Sequence, residues 1–183
     1  MMRKAASILP LSAILAGALA LSGCGLRPVY GGGTHGAVSR NIGHVEVADI
    51  EGKAGWLMRN ALNDRLAAVG NGDGPRYRLV VKLDDQIQGF GVRADDTVTR
   101  ERRTLRARYQ LIDDATGTQV IDDTAGSDAG IDVVSSEYAT IAAEDTALER
   151  LSQIVADQIV SRLALFARQG DAPGVNRSDR AQP

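Results

Sequence analysis

The chain holds very little that could do covalent chemistry or bind a metal. Cysteine occurs once, at Cys24, and histidine twice, at His35 and His44. A single cysteine closes no internal disulfide, so a hydrophobic core must hold the fold. Two separated imidazoles fall short of a zinc site, which needs more ligands at close spacing. No Gly-x-Ser-x-Gly elbow is present to activate a serine. Gly31, Gly32 and Gly33 follow no strand pattern and precede no Gly-Lys-Ser/Thr, which excludes a phosphate loop. The stretch from Asp113 to Thr118 lacks the alternating oxygen ligands of a calcium loop. The acid pairs Asp84-Asp85, Asp113-Asp114 and Asp122-Asp123 are read as solvated turn acids. Neighbours on a strand point to opposite faces, so they form no catalytic dyad. No catalytic residue, metal or cofactor is assigned, and the chain is read as no enzyme. Aromatic residues are scarce, at 4%, and no internal repeat is found.

Long apolar runs are also missing. Residues 5–21 are apolar except for Ser7, Pro10, Ser12 and Gly17. That is too interrupted for a spanning helix of about 20 residues. With Arg3 and Lys4 in front and Ser22 and Gly23 behind, it reads as a secretory signal over 1–23. Leu21, Ser22, Gly23 and Cys24 resemble the lipobox of bacterial lipoproteins. The resemblance implies cleavage before Cys24, acylation of its thiol and new amino terminus, and a membrane held through lipid. By resemblance to the sorting rule of enterobacterial lipoproteins, Gly25 in place of Asp implies passage to the outer membrane. Taking Arg3 and Lys4 from 21 basic residues leaves 19 against 23 acidic ones. That balance excludes a general nucleic-acid binder.

The rest of the chain is organised as a tether, one domain and a tail. Residues 24–40 carry Pro28 and several glycines and form a flexible, lipidated tether. A domain is expected over 41–168, and a disordered polar tail over 169–183. Within the domain, alternation predicts strands over about 42–50, 76–88, 97–112 and 119–134. Gly52 and Gly55 should end the first strand, Gly89 to Gly91 should end or bend the second, and a bulge is expected near Gly126 and Gly130. A hairpin turn is expected at 113–118, with Gly117 at positive φ. A helix from Ala54 or Trp56 to Val69 presents Leu57, Ala61, Leu62, Leu66 and Val69. A longer helix, about 138–167, is capped by Ser135 or Ser136. Its face is Leu148, Leu151, Val155, Ile159, Leu163 and Phe166, widened by Ile141, Ala147 and Ile154. At about 45 Å it should overhang the sheet. The order β-α-β-β-β-α gives an α+β two-layer sandwich, with two helices on one face of a four-stranded, mostly antiparallel sheet.

Period two also separates charge. Leu105, Ala107, Tyr109 and Leu111 share one face of the third strand, and Arg100, Arg102, Arg106 and Arg108 share the other. Arg78 and Lys82 join the arginines if the second and third strands pair. The stripe is either a solvated face that discourages edge association or a contact surface for an anionic partner, since arginine forks grip phosphate.

The order of several motifs resembles the LptE family of lipopolysaccharide-assembly lipoproteins, in its alphaproteobacterial form. They are Cys24 through Gly31, Tyr77-Arg78-Leu79, the arginine-rich strand ending in Tyr109-Gln110-Leu111, and Tyr138-Ala139 with Ala143-Glu144-Asp145. The resemblance implies the same two-layer fold and a lipoprotein of the outer membrane. It implies a plug inside the LptD β-barrel that helps the barrel assemble and passes lipopolysaccharide to the outer leaflet. The domain would sit on the periplasmic side or within the barrel lumen. Arg78, Lys82, Arg100, Arg102, Arg106 and Arg108 are the candidate contacts to lipopolysaccharide or barrel. A lipoprotein subunit of an ABC-type lipid transporter, or a structural envelope lipoprotein, are the other readings of the same features.

Overall fold

The computed structural model describes residues 42, 44–69, 74–92 and 98–169. The elements are β1 (His44–Val47), α1 (Gly52–Val69), β2 (Arg76–Val92), β3 (Val98–Asp113), β4 (Gln119–Asp132) and α2 (Glu137–Gln169). The sheet order is β1-β2-β3-β4. β1 runs parallel to β2, and β2, β3 and β4 form an antiparallel meander. This is the α+β sandwich that the alternation of strand and helix patterns predicts. Cys24, the tether and the residues after 169 lie outside the described residues.

Ser136 caps α2: its Oγ accepts a hydrogen bond from Ala139 N–H at 3.4 Å. Glu137 in the first turn and Arg168 in the last suit the helix dipole. The buried stripe of α2 carries Leu148, Leu151, Val155, Ile159 and Leu163, as expected. It is widened by small residues, Ser152, Ala156, Ala164 and Ala167. Ile141 and Ile154 do not widen it; they are 49% and 44% exposed. Ile154 lies about 100° behind Val155 on the helical wheel. In α1, Ala61 and Leu62 are buried, with Leu57 and Leu66 partly so. Met58, one turn before Leu62, is fully buried and was not on the expected face.

The two helices run side by side in the same direction. Lys53 pairs with Asp145 at 2.7 Å, and Arg65 Nη2 donates to Asp157 at 3.0 Å. α1 therefore begins beside Asp145, and the first two turns of α2 reach past it. Ile141 is exposed because no helix stands beside it there. Among the described residues, no helix is long and apolar enough to cross a membrane.

β2 and β3 are 17 and 16 residues long, about 50–56 Å. α2, with 33 residues, is of the same length at about 50 Å, and its last residue, Gln169, lines one hollow with Val120 at the start of β4, so its end stays over the sheet. β2 is not ended by Gly89 to Gly91, because pairing with β3 continues to Val92 opposite Val98. Gly91 takes positive φ there, and Thr99 Oγ1 donates to its carbonyl at 2.7 Å. β4 runs unbroken past Gly126 and Gly130. The register shift lies instead at Leu111/Ile112, beside the hairpin turn in which Gly117 has φ 69. Helix α1 starts at Gly52, earlier than expected. Gly55 belongs to its first turn, where a Cβ would clash with the Ile50 carbonyl oxygen.

Leu79, Leu105, Leu111 and Tyr109 lie against the helices and are almost wholly buried. Burial pushes the Tyr109 phenol up to about 12, helped by Asp123 and opposed by Arg162. The sheet's other face has no layer over it among the described residues.

Candidate functional site

That uncovered face carries the cationic stripe. Arg100, Arg102, Arg106 and Arg108 alternate along β3 away from the helices, all exposed. The β2–β3 register sets Lys82 beside Arg108 and Asp84 beside Arg106. Arg78 is on the same face toward the turn. The structure thus brings the six cations onto one surface.

Most of them are already engaged. Arg108 forks onto Asp122, with bonds of 3.1 and 2.9 Å. Arg100 pairs with Asp132 at 3.1 Å, Arg102 with Asp128 at 3.7 Å, and Arg78 with Asp114 at 2.8 Å. Arg102 also stacks over Phe90, 5.5 Å from the ring centroid. The Arg108 hydrogen bonds, then Gln110, hold the Asp122 carboxyl down to about 2. The aspartates are what the stripe reading missed. Period two in β4 places Asp122, Asp128 and Asp132 on the same face as the arginines, and antiparallel pairing brings them alongside. Asp122 and Asp123 are therefore strand residues, not turn acids. They diverge, Asp122 to the outer face and Asp123 to Arg162 of α2 at 3.2 Å. Asp84 and Asp85 likewise sit within β2. Only Asp113 and Asp114 belong to the turn, where the Asp113 carboxylate accepts from Ala115 N–H at 2.9 Å.

Arg106 and Lys82 are different. Among the described residues neither has an ion pair or a side-chain hydrogen bond. Both line a groove of about 520 Å³ that also takes in Asp84, Arg108, Gly126 and Asp128. Gly126 stands directly opposite Arg106. A Cβ there would meet the Leu105 carbonyl oxygen at 3.2 Å and Arg106 Cγ at 3.3 Å. The groove exists because β4 puts no side chain over the guanidinium. Two cations without partners in a concavity can hold an anion by charge-assisted bonds. No nucleophile and base converge there. Among the described residues, no group of three metal-ligating side chains is found.

A second polar cluster lies on the helix-facing side. Arg103 points inward, opposite to the stripe. Its fork grips Asp85 at 2.9 and 2.6 Å, and its Nη1 donates to the Glu144 carbonyl oxygen at 2.9 Å. Its side chain is only 10% exposed. It ties β2, β3 and α2 together where α1 gives no support. Two residues before it, Glu101 keeps a buried Oε2 with no hydrogen-bond partner among the described residues. Burial, then the Glu144 charge, raises its pKa. Alternation from Leu105 could have placed both residues inside.

A family model named LptE, lipopolysaccharide-assembly, matches residues 42–163. Among solved structures, a chain from Caulobacter crescentus CB15 assigned as a lipoprotein is similar at 27% identity, over 76% of this chain and 96% of that one, with TM-score 0.55. The rare lipoprotein B from Shewanella oneidensis matches at 13% identity over 70% and 98%, with TM-score 0.53. Lipoprotein B from Nitrosomonas europaea matches at 13% over 73% and 90%, with TM-score 0.57. These last two speak for the fold. No curated protein sequence matches the chain.

Proposed function

The chain belongs to the LptE lipopolysaccharide-assembly family, and on that premise we propose that it plugs an LptD-type outer-membrane β-barrel and assists delivery of lipopolysaccharide to the outer leaflet. In this reading the protein is acylated on Cys24, held in the outer membrane, and acts by binding and not by catalysis. The observation that supports it is the outer-face groove with Lys82 and Arg106, neither of them paired among the described residues. A face of bound ion pairs needs no ligand; two cations left over in a concavity can take phosphates. Inside a barrel lumen, where water is partly excluded, such contacts gain strength. Arg78, Arg100, Arg102 and Arg108 then serve mainly to keep the face rigid and mixed in charge, and to meet acidic groups of the barrel at its rim.

The test is the double change Lys82→Glu with Arg106→Glu. Circular dichroism should match the parent, since neither side chain holds the fold. Binding of purified lipopolysaccharide should fall about tenfold or more, from the loss of charge-assisted bonds. The difference should narrow as salt rises. Arg100→Gln, which breaks one exposed ion pair, should bind within about threefold of the parent. A double variant that folds, binds lipopolysaccharide and co-purifies with the barrel as the parent does would leave the groove a solvated surface.

A further inference from the structure

We propose that the outward edge of β2 pairs with the same edge of a second copy of this chain, antiparallel and in a register centred on Ile87. β1 pairs only with Arg76 to Leu79. Ala48 N–H donates to the Leu79 carbonyl across that edge at 2.9 Å, while Arg76 accepts from Asp114 on the other side. Beyond Leu79 the edge has no pairing strand among the described residues, although β2 continues to Val92. Main-chain groups alternate sides along a strand. The N–H and C=O groups of Val81, Leu83, Asp85, Ile87 and Gly89 therefore turn outward, and those of the even residues turn to β3. The opposite edge of the sheet is covered in part: Gly126 N–H is taken by Gln158 of α2 at 3.2 Å, and Arg162 reaches Asp123.

The edge is complementary to itself. Gln86-Ile87-Gln88 has the same order in both directions. A two-fold axis at Ile87 sets Ile87 against its own copy and each Gln86 against a Gln88. Asp85, Ile87 and Gly89 then exchange main-chain hydrogen bonds across the seam, since their groups all turn outward. Ile87, on the helix side and 42% exposed, gains an apolar neighbour. On the outer face the charges match. Asp84 falls opposite Phe90 of the second copy, a ring that is 41% exposed and lies under Arg102 at 5.5 Å. Arg100 stands beside that Phe90 in the β2–β3 register. Each Asp84 thus meets two guanidinium groups across the seam, and the symmetry makes the contact twice. The acids stay apart: Asp85 falls opposite Gly89, about 14 Å along the strand from the other Asp85, and Arg103 already holds it. The space fits as well. Val92 of the second copy falls opposite Lys82, short of Leu79, where β1 pairs. The axis is perpendicular to the sheet, so both helix layers lie on one side. α1 starts at the level of Asp85, because Lys53 pairs with Asp145 and Arg103 joins Asp85 to the Glu144 carbonyl. The second copy brings its own α1 start across from Gly89, where this copy's α1 is absent. The pairing stands independently of the barrel reading.

Disulfide trapping on the full acylated chain in detergent tests the register. Gln86→Cys mixed with Gln88→Cys should link under mild oxidation, because this pair is of the closely spaced kind, with Cα atoms about 4.5 Å apart. Either variant alone sets its cysteines two positions out of register and should link about fivefold less. Amide exchange on the parent is an independent measure. The amides of Asp85, Ile87 and Gly89 should slow about tenfold or more as protein concentration rises, while those of Gln86 and Gln88 are slow throughout. Ile87→Lys keeps every amide but sets two ammonium groups together. It should weaken the dimer about tenfold or more in sedimentation equilibrium, with circular dichroism unchanged. A parent chain that stays monomeric at about 100 µM overturns the proposal. Outward amides that are already slow in the monomer overturn it too, since the chain's own residues then cover the edge. A dimer in which Gln86→Cys alone links as readily as the mixture, or which Ile87→Lys leaves at parental affinity, is paired elsewhere and equally overturns it.

Discussion

Arg103 and Arg108 sit five residues apart on one strand and should behave as opposites on mutation. Arg103→Ala strands the Asp85 carboxylate in a partly buried setting and removes the tie to the Glu144 carbonyl. The expected loss is about 2–4 kcal/mol, toward the lower end for a buried pair because Asp85 keeps some contact with water. Arg108→Ala breaks an exposed fork and should cost less than about 1 kcal/mol. Urea unfolding of both variants checks the contrast, and equal losses would contradict the inward placement of Arg103. Glu101 gives a pH signature. Its folded pKa is raised, so below the unfolded value both states are protonated and nothing is lost. As pH climbs, the unfolded state ionises first, the folded state binds more protons, and stability falls through that window. The Glu144 carboxylate opposes ionisation, while Arg103 nearby is already engaged by Asp85. Glu101→Gln should therefore melt higher than the parent at neutral pH, and the two should converge in acid. A parent that gains stability over the parent-to-variant difference as pH rises would reverse the assignment.

At the scale of elements, α2 is the part on which both layers depend. Leu151→Ala and Ile159→Ala should each cost about 2–5 kcal/mol, since both are buried in the core and would leave cavities. A melting temperature unmoved by either would mean that the helix is docked otherwise. The existence and order of the elements were legible because period two and period 3.6 are written cleanly in β2, β3 and α2. What failed had physical causes. Gly89 and Gly91 looked like a stop, yet pairing along β3 carried β2 through them. Gly126 and Gly130 looked like a bulge, yet the irregularity settled next to the tight turn. Ile141 looked like core, but its exposure depends on where α1 begins, which no local pattern states. The stripe itself was legible from one strand. Its neutralisation was not, because that depends on the register with β4.

For the whole molecule, the anchor and the domain should separate cleanly. Cys24→Ala should abolish incorporation of labelled fatty acid, and labelled lipid on that variant would contradict acylation at Cys24. The side-by-side helices also set the order in which the protein can be completed. The ion pair of Arg65 with Asp157 joins residues 92 positions apart, and α1 meets α2 along more of its length than it meets the sheet. Met58 and Leu62 thus lie buried on a helix whose chief neighbour is α2, the last of the described elements in chain order. Closing so long a span is slow compared with zipping the β2–β3–β4 meander. Until α2 arrives, the emerging chain holds a formed sheet beside a helix whose apolar side faces water, a state open to proteases and to chaperones of the envelope.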